Sequence, residues 1–404
     1  MSVASLILGL LCCFGVILDA FQTIILPRRP KGRLRITRLF YLGAWTPWVW
    51  MAERIEDRKV REQAYSVFGP LSLLLLLVLW AVLLTVGFAL LLFAFRSPFQ
   101  DGSLDAGATA LARFRTDLYV SGTTLTTLGP GDVVPRSQFA RALMIAESGT
   151  GLGFVALVIS YVPVLYGAFS RREVIVAMLD GRAGSPPTAA ELLRRHSFDG
   201  GPEALGTLLE EWERWSAEIL ESHISYPILC FYRSQHDNQS WLSALVSVLD
   251  TCALLITTVE GPASRQAQLT FAMGRHALID LGHVFQLDGK ETEWPANLGP
   301  DRLPPEVFDR LCGALAEVDL RLCGDAQSML RLSAARQLYE PHALVLSEYL
   351  KIPLPLWVAE PRPKDQWRAV ANLRSGAVAV LGNRVSHVSE AATSAHLHDE
   401  DHGF

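Results

Sequence analysis

The sequence predicts an all-α membrane protein with a separate helical domain in its C-terminal half. Half of the 404 residues are hydrophobic and only 19% are charged, whereas soluble domains carry roughly 25% charged residues. The apolar residues cluster in three segments, each long enough to cross a bilayer as a helix. After about residue 185 the apolar residues instead recur at the spacing of amphipathic helices, which indicates a soluble all-α domain.

The three predicted spans cover residues 3–26, 70–95 and 142–169. We interpret residues 1–27 as an N-terminal transmembrane helix rather than a cleaved signal peptide. No basic region precedes this segment, and no small-residue cleavage site follows it. It contains one acid, Asp19, whose role stays open; pairing with an arginine of the following loop is the simplest expectation.

The predicted loop at residues 28–67 is basic and rich in tryptophan. Residues 27–68 contain ten Lys/Arg, whereas residues 1–26 contain none. This bias predicts an outside N-terminus, a cytoplasmic loop and a cytoplasmic C-terminal region in the plasma (inner) membrane. Two interpretations of Trp45, Trp48 and Trp50 stay open. They belong either to an interfacial helix lying on the membrane or to a buried turn against the C-terminal domain.

A short helix is predicted at residues 112–126, between the second and third spans. Such a segment enters a membrane only where protein or water surrounds its polar groups. The run that follows is Thr127, Leu128, Gly129, Pro130 and Gly131. Successive carbonyls point the same way when φ alternates in sign; glycine adopts positive φ freely and proline holds φ near −65°. Four copies around an axis would form rings of oxygens that replace the water shell of a monovalent cation.

The sequence TTLTTLGPGD at residues 123–132 resembles the selectivity-filter signature of potassium channels, TTxTTVGYGD. The resemblance continues without a gap to residue 154 and covers about residues 68–172. It implies a pore-loop cation channel, a homotetramer around one pore, with outer helix, pore helix, filter and inner helix. It implies potassium ions at the carbonyls of Thr127, Leu128, Gly129 and Pro130, with Gly131 completing the filter. We expect support of the filter from Thr123, Thr124, Thr126, Asp132 and Glu147.

Two departures from the family pattern bear on selectivity. Pro130 stands where the family usually has an aromatic residue that braces the filter. Thr123 stands at the usual position of a glutamate behind the filter. Bracing must therefore come from elsewhere, and Asp132 is expected at the outer mouth. A potassium channel, a weakly selective cation channel and a non-conducting sensor or scaffold with a pore-like fold all remain open.

Three residues of the third span have candidate roles. By resemblance, Gly151 stands at the gating hinge of the inner helix, although close helix packing is an alternative. Pro163 removes a helix hydrogen bond, and we predict a kink that serves as a gate. Glu147 either faces the central cavity or lies behind the filter, hydrogen-bonded to Thr123 or Thr124. We favour the position behind the filter.

The remaining chain divides into a linker (173–184), a cytoplasmic helical domain (185–361) and a largely disordered tail (362–404). Thr188 and Glu191 form a predicted capping box at the start of the domain. The apolar segment near residues 240–261 is short and carries Asp250, so we predict a buried helix rather than a fourth span. Histidines and aspartates of the tail allow weak metal binding.

These observations predict passive conduction of monovalent cations, with potassium ions favoured, rather than catalysis. No nucleophile–base pair or metal-ligand spacing is visible, so we expect neither an enzyme nor an organic cofactor. The formal net charge of −5 gives no indication of a nucleic-acid partner. The expected partners are three further copies of the chain, the lipid membrane, and an unidentified ligand or protein at the helical domain.

Overall fold

A computed structural model describes residues 3–26, 35–95, 99–101, 109–197, 201–235, 238–258, 264–285, 301–318 and 326–359. The predicted tail, with its histidines, lies outside the described residues. The chain divides into two compact units, Met1–Ala168 and Phe169–Phe404. Helices dominate both, which confirms the predicted fold class. The described strands are β1 (Phe99–Asp101) and β2 (Val133–Pro135), which pair antiparallel.

The first unit contains four helices and the beginning of a fifth. They are α1 (Val3–Ala20, extended by a π-helical turn at Phe21–Ile25), α2 (Ile36–Ala52), α3 (Arg58–Ala94), α4 (Ala110–Leu125) and α5 (Gln138–Ala183). Among the described residues, three helices are long and apolar enough to cross a membrane, namely Val3–Ile25, α3 and α5. Each contains one of the three predicted spans.

The second span begins earlier than predicted. The carboxylate of Asp57 accepts hydrogen bonds from the backbone N–H groups of Lys59 and Val60 and so caps α3 at its start. Pro70, the predicted first residue of the span, lies inside this helix, where it removes one backbone donor. The predicted linker at 28–67 is therefore wrong as a single loop, because it contains α2 and the first turns of α3.

Helices α1 and α3 approach closely through glycine. A Cβ atom on Gly9 would lie 2.8 Å from the carbonyl oxygen of Gly87, and one on Gly87 would lie 2.7 Å from Sγ of Cys13. Larger side chains at either position would push the two helices apart. Small residues at such crossings allow membrane helices to make close backbone contact, so these glycines fix the extra N-terminal helix against the outer helix.

Asp19 joins α1, α2 and α3 by polar contacts. Its Oδ2 accepts hydrogen bonds from the backbone N–H of Thr37 at 2.9 Å and from Nε1 of Trp80 at 3.1 Å. Its Oδ1 lies 3.4 Å from Nε of Arg35. The expected pairing with an arginine of the loop is confirmed, and the carboxylate also caps the N-terminus of α2.

The tryptophan-rich segment is a helix, α2, and not a turn. Trp45 is buried with its ring 4.6 Å from that of Phe68 in α3. Trp48 donates from Nε1 to the carbonyl oxygen of Ala64 at 3.0 Å, while Trp50 is exposed. The turn interpretation is wrong because the aromatic face of α2 packs on α3 as a regular helix. Contact with the membrane stays a prediction.

Helix α5 is longer than the predicted third span and has no break between the two units. The predicted linker at 173–184 is wrong, because the helix continues to Ala183 and ends at Gly184, whose φ is +84°. Residues 173–183 contain no proline, so nothing stops the helix earlier. Pro163 lies inside α5, and its use as a gate stays a prediction.

The second unit is built from short helices packed around a buried one. After the end of α5 they are α6 (Ala189–Arg195), α7 (Gly201–Ser225), α8 (Trp241–Thr257), α9 (Ser264–Val284), α10 (Pro305–Ala316), α11 (Ala326–Gln337) and α12 (Glu340–Leu350). Helix α8 is almost wholly buried, which confirms the prediction of a buried helix. Thr188 caps α6 through the N–H of Glu191, but Glu191 pairs with Arg194 and Arg195 rather than completing the capping box.

Asp250 of α8 is fully buried and paired. Its Oδ2 lies 2.7 Å from Nη2 of Arg302, and its Oδ1 accepts from the hydroxyl of Tyr339. Arg302 also donates to Glu340 of α12 at 3.1 Å. Burial raises the pKa of Asp250, and the guanidinium of Arg302 opposes that rise. This ion pair joins α8, α12 and the segment before α10.

Arg172 is another buried charged residue of this unit. It donates to the carbonyl oxygens of Leu229 and Tyr232, both at 2.8 Å, and its Nη1 lies 3.2 Å from Nε2 of His223. Arginine is always a donor, so His223 must accept through Nε2 and is neutral. Burial and the positive charge of Arg172 hold the pKa of His223 well below its ordinary value of 6.5.

Candidate ion-conducting site

Helix α4 occupies the position predicted for the pore helix. It begins where the hydroxyl of Thr109 accepts a hydrogen bond from the N–H of Ala112, and it ends at Leu125, against the predicted residues 112–126. Val120 is fully buried and packs with Leu92 of α3 and Val133 of β2. The buried side of α4 thus packs on the outer helix. The filter sequence follows directly after the C-terminal end of α4.

The filter sequence leaves α4 through backbone hydrogen bonds and positive φ angles. The N–H of Thr127 bonds to the carbonyl oxygen of Thr124 at 3.0 Å, and the N–H of Gly129 bonds to that of Thr123 at 2.9 Å. Thr127 has φ of +61° and Gly129 has φ of +72°. Positive φ is rare for a β-branched residue, and such strain is common at functional sites.

The predicted alternation of φ is shifted by two residues. We expected it over Gly129, Pro130 and Gly131, but Gly131 lies outside the positive-φ region. The structure instead has positive φ at Thr127 and Gly129, with Leu128 and Pro130 outside that region. Four successive residues therefore alternate, beginning at the threonine that sequence reasoning did not expect to adopt positive φ.

The hydroxyl of Tyr119 contacts the residue that follows the filter sequence. It donates to Oδ1 of Asp132 at 3.2 Å and so connects the middle of α4 to that residue. The hydroxyls of Thr123 and Thr126 bond back to α4. Thr123 donates to the carbonyl oxygen of Tyr119 at 2.9 Å, and Thr126 donates to that of Gly122 at 2.7 Å. Support of the filter by Thr123, Thr124 and Thr126 stays a prediction.

Glu147 lies against the pore helix, but its partner is neither Thr123 nor Thr124. The fully buried Glu147 shares a hydrogen bond with the hydroxyl of Ser121, which also lies 2.8 Å from the carbonyl oxygen of Thr85. A carbonyl only accepts and a serine has one proton. Both bonds therefore form together only when the carboxyl group of Glu147 carries a proton. The three residues then connect the inner, pore and outer helices.

Gly151 permits a close contact between α5 and the end of α4. A Cβ atom at this position would lie 1.9 Å from the carbonyl oxygen of Leu125, whereas at Gly149 and Gly153 it would meet nothing within 4 Å. Close packing, the alternative to a hinge, is therefore present in the structure. The hinge function stays a prediction.

Large apolar side chains of this unit are exposed in the single chain. Leu128, within the filter sequence, is 80% exposed. Leu152, Val155 and Ile159 are exposed on α5 at helical spacing. The exposed positions therefore include the filter sequence and the middle of the inner helix.

Comparison with known proteins places this geometry in a family. Residues 75–165 match the family model described as "Ion channel". This segment of the chain is similar to ion channel domains. The match runs from the outer helix through the filter sequence to the inner helix, and it confirms the resemblance identified from residues 123–132.

About half of the chain is also similar to a bacterial protein. It is 27% identical over 210 residues to the "Uncharacterized membrane protein YdjJ" of Bacillus subtilis (strain 168). The aligned region covers 50% of this chain and 57% of the relative, so the chain spans little more than half the length of that protein. No solved structure matches the chain.

Proposed function

We propose that the protein is a homotetrameric channel that conducts monovalent cations, most readily potassium, through residues 127–131. The observation that carries this proposal is the alternation of φ that starts at Thr127 and continues through Gly129. Such a backbone turns successive carbonyls toward one side, where fourfold repetition makes rings of oxygens around a dehydrated ion. Thr127 also offers its hydroxyl.

The exposed apolar face supports assembly into a tetramer. Leu128 and the stripe on α5 expose large side chains beside a sequence that needs four copies to coordinate an ion. Packing the faces of neighbouring chains together would remove this apolar surface from lipid or water. The pore would then lie between four copies of α5.

The buried contacts behind the filter support a role for Glu147 in positioning it. A protonated carboxyl group bonded to Ser121 holds α4 against α5, next to the close contact at Gly151. On the other side, Tyr119 bonds to Asp132. These two attachments flank the filter sequence and limit its freedom, which a size- and geometry-dependent ion site requires.

The proposed orientation follows from the distribution of Lys and Arg. It puts the N-terminus outside and the helical unit in the cytoplasm of a cell whose plasma membrane contains the channel. The second unit is then available to a cytoplasmic ligand or protein that controls opening. We assign no chemistry to that regulator.

The experiment that tests this function measures potassium efflux from liposomes containing the purified protein. Thr127→Ala should reduce potassium efflux at least several-fold, because it removes one ring of hydroxyl oxygens from the proposed ion path. Thr126→Ala is the matched control, since its hydroxyl bonds within α4 and its loss should leave efflux near the wild-type value. Equal efflux in all three proteins would remove Thr127 from the ion path.

Weak selectivity is a second candidate, and Pro130 is the residue that favours it. Proline brings no aromatic ring to pack behind the filter, so the oxygen rings have less lateral support than in a GYG sequence. Sodium and potassium would then permeate at similar rates. The ratio of the two permeabilities separates the candidates.

A further inference from the structure

Helix α2 has an exposed apolar face opposite the face that packs on α3. The exposed side chains are Leu39, Leu42, Trp50 and Met51, which we call the α2 stripe. Leu39 and Trp50 are eleven residues apart, about three helical turns, so they lie on one line along the helix, with Leu42 and Met51 on either side of it. Leu42 is 49% exposed and Trp50 is 60% exposed. The opposite face is already buried, with Trp45 packed on Phe68, so the stripe is not part of the core of this unit.

We propose that the α2 stripe docks on the surface of the lipid bilayer and prefers anionic headgroups. The position of α2 beside the membrane-spanning helices supports this proposal. Thr37, at the start of α2, bonds through its backbone N–H to Asp19 of α1, which also bonds to Trp80 of α3. Both of those helices contain predicted membrane spans. The N-terminal end of α2 is therefore fixed at the membrane-spanning helices, and the stripe begins only two residues later.

The side chains at the other end of the α2 stripe also suit a membrane surface. The guanidinium of Arg54 lies 3.1 Å from the centre of the Trp50 ring, and its Nη1 donates to the carbonyl oxygen of Trp50 at 3.3 Å. This arrangement places a charged group over the face of an apolar ring. Tryptophan and arginine are enriched in this role at membrane–water interfaces, where the ring enters the headgroup region and the charge stays in water.

The positive charge of the sequence around the α2 stripe favours an anionic bilayer surface. From Pro27 to Ala52 the sequence contains no acid, and its basic residues are Arg28, Arg29, Lys31, Arg33, Arg35 and Arg38. Basic residues next to a membrane span are attracted to anionic lipids. A second copy of the chain on the same face would bring two such basic segments together, which is electrostatically unfavourable. The charge therefore favours a bilayer surface over a second copy as the occupant.

Photocrosslinking in the full chain tests the proposal. A benzophenone amino acid replaces Leu42 or Trp50 one at a time, and the protein is irradiated in liposomes. Leu74 on α3 is the control for a lipid-facing site, and Leu330 on α11 is a control for an exposed leucine outside the membrane-spanning unit; both are exposed in the structure. Mass spectrometry then identifies the partner at each position.

The proposal predicts lipid adducts at positions 42, 50 and 74 and none at 330. A dimer crosslink at position 42 or 50 would mean that a second copy covers the stripe, and an intramolecular crosslink would mean that another part of the chain does. A lipid adduct at 74 with none at 42 or 50 would mean that the stripe faces water. Each of these three results overturns the proposal.

The lipid preference has its own comparison. Liposomes of phosphatidylcholine alone are compared with liposomes that also contain phosphatidylglycerol. We expect a several-fold larger yield of adducts at position 42 in the anionic vesicles. The double variant Arg38→Gln with Arg54→Gln should reduce that difference, while the yield at Leu74 stays the same. Equal yields in both vesicles for the wild-type charges would contradict the preference for anionic headgroups.

Discussion

Asp250 in the second unit and Glu147 in the first are both buried carboxyl groups, and they are held in different ways. In the second unit, Asp250 faces the guanidinium of Arg302 and the hydroxyl of Tyr339. In the first unit, Glu147 meets the hydroxyl of Ser121, and its Oε2 has no hydrogen-bond partner within the described residues. One acid is compensated by an opposite charge, whereas the other has a single neutral partner.

The difference indicates that Asp250 stabilises the fold of its unit, whereas Glu147 serves the proposed ion site. A buried ionised carboxylate without a counter-charge is very costly, so a lone buried acid is kept in its neutral form. The ion pair of Asp250 holds three segments of the second unit in one arrangement. The neutral bridge through Glu147 joins α4 to α5 next to residues 127–131, the filter of the proposed channel.

The largest expected effect is at Asp250. Asp250→Ala leaves Arg302 buried without its main counter-charge, and breaking such a pair typically costs about 3–5 kcal/mol. Urea unfolding followed by tryptophan fluorescence measures the loss. Glu211→Gln is the control because Glu211 and Arg182 form an exposed pair at 3.1 Å, worth less than about 1 kcal/mol. Similar losses in both variants would show that Asp250 is not held as a buried ion pair.

A smaller effect is expected where Gly151 contacts the end of the pore helix. Gly151→Ala would force its methyl group against the carbonyl oxygen of Leu125, and overpacking of this kind costs about 1–3 kcal/mol. We expect lower thermal stability and loss of most potassium efflux. Gly149→Ala and Gly153→Ala have open space in the single chain and should keep both properties. If all three substitutions have the same effect, the loss of helix flexibility rather than close packing explains the effect of Gly151→Ala.

Two substitutions at Glu147 distinguish a hydrogen-bonding role from a role of its charge. Glu147→Gln keeps a neutral group that donates to Ser121, so it should behave almost as the wild type. Glu147→Leu loses the hydrogen bond and should lower stability by about 0.5–1.5 kcal/mol and reduce ion selectivity. Melting curves and permeability ratios check both. A Gln variant as impaired as the Leu variant would mean that the negative charge of Glu147, and not its hydrogen bond, is what the site uses.

The smallest effect at neutral pH is expected at His223, which accepts a hydrogen bond from Arg172 in the second unit. The folded-state pKa of His223 lies well below 6.5, so below pH 6.5 the unfolded chain binds a proton that the folded chain excludes. Stability therefore falls as the pH drops below about 6.5 and is fully present above it. His223→Gln should flatten this dependence in unfolding experiments between pH 7 and pH 5. An unchanged slope would assign the acid sensitivity to other groups.

The sequence predicted the parts of the pore unit that local patterns determine. Continuous apolar runs identified three spans, and TTLTTLGPGD identified the end of the pore helix. Helix boundaries were less accurate for a physical reason. The cap at Asp57 and the absence of a breaker before Gly184 extend α3 and α5 well beyond their apolar cores, and hydropathy does not register either feature.

Side-chain partners in the site were harder to predict than its position. Glu147 was expected behind the filter, but its partner is Ser121, which faces α5 from one turn before Leu125. The bond of Tyr119 to Asp132 likewise depends on the path of the loop after α4. Which hydroxyl points away from its own helix depends on how α4 is rotated between α3 and α5, and no local pattern encodes that rotation.

The central claim is that residues 127–131 form a potassium-selective filter despite Pro130. The most direct test is bi-ionic flux through the purified protein in liposomes, with potassium against sodium, for the wild type and for Pro130→Tyr. The account predicts that the wild type already passes potassium in strong preference to sodium, because Thr127 and Gly129 set the carbonyl orientation and Tyr119 supplies the brace. Equal permeation of the two ions in the wild type, made selective by Pro130→Tyr, would contradict it.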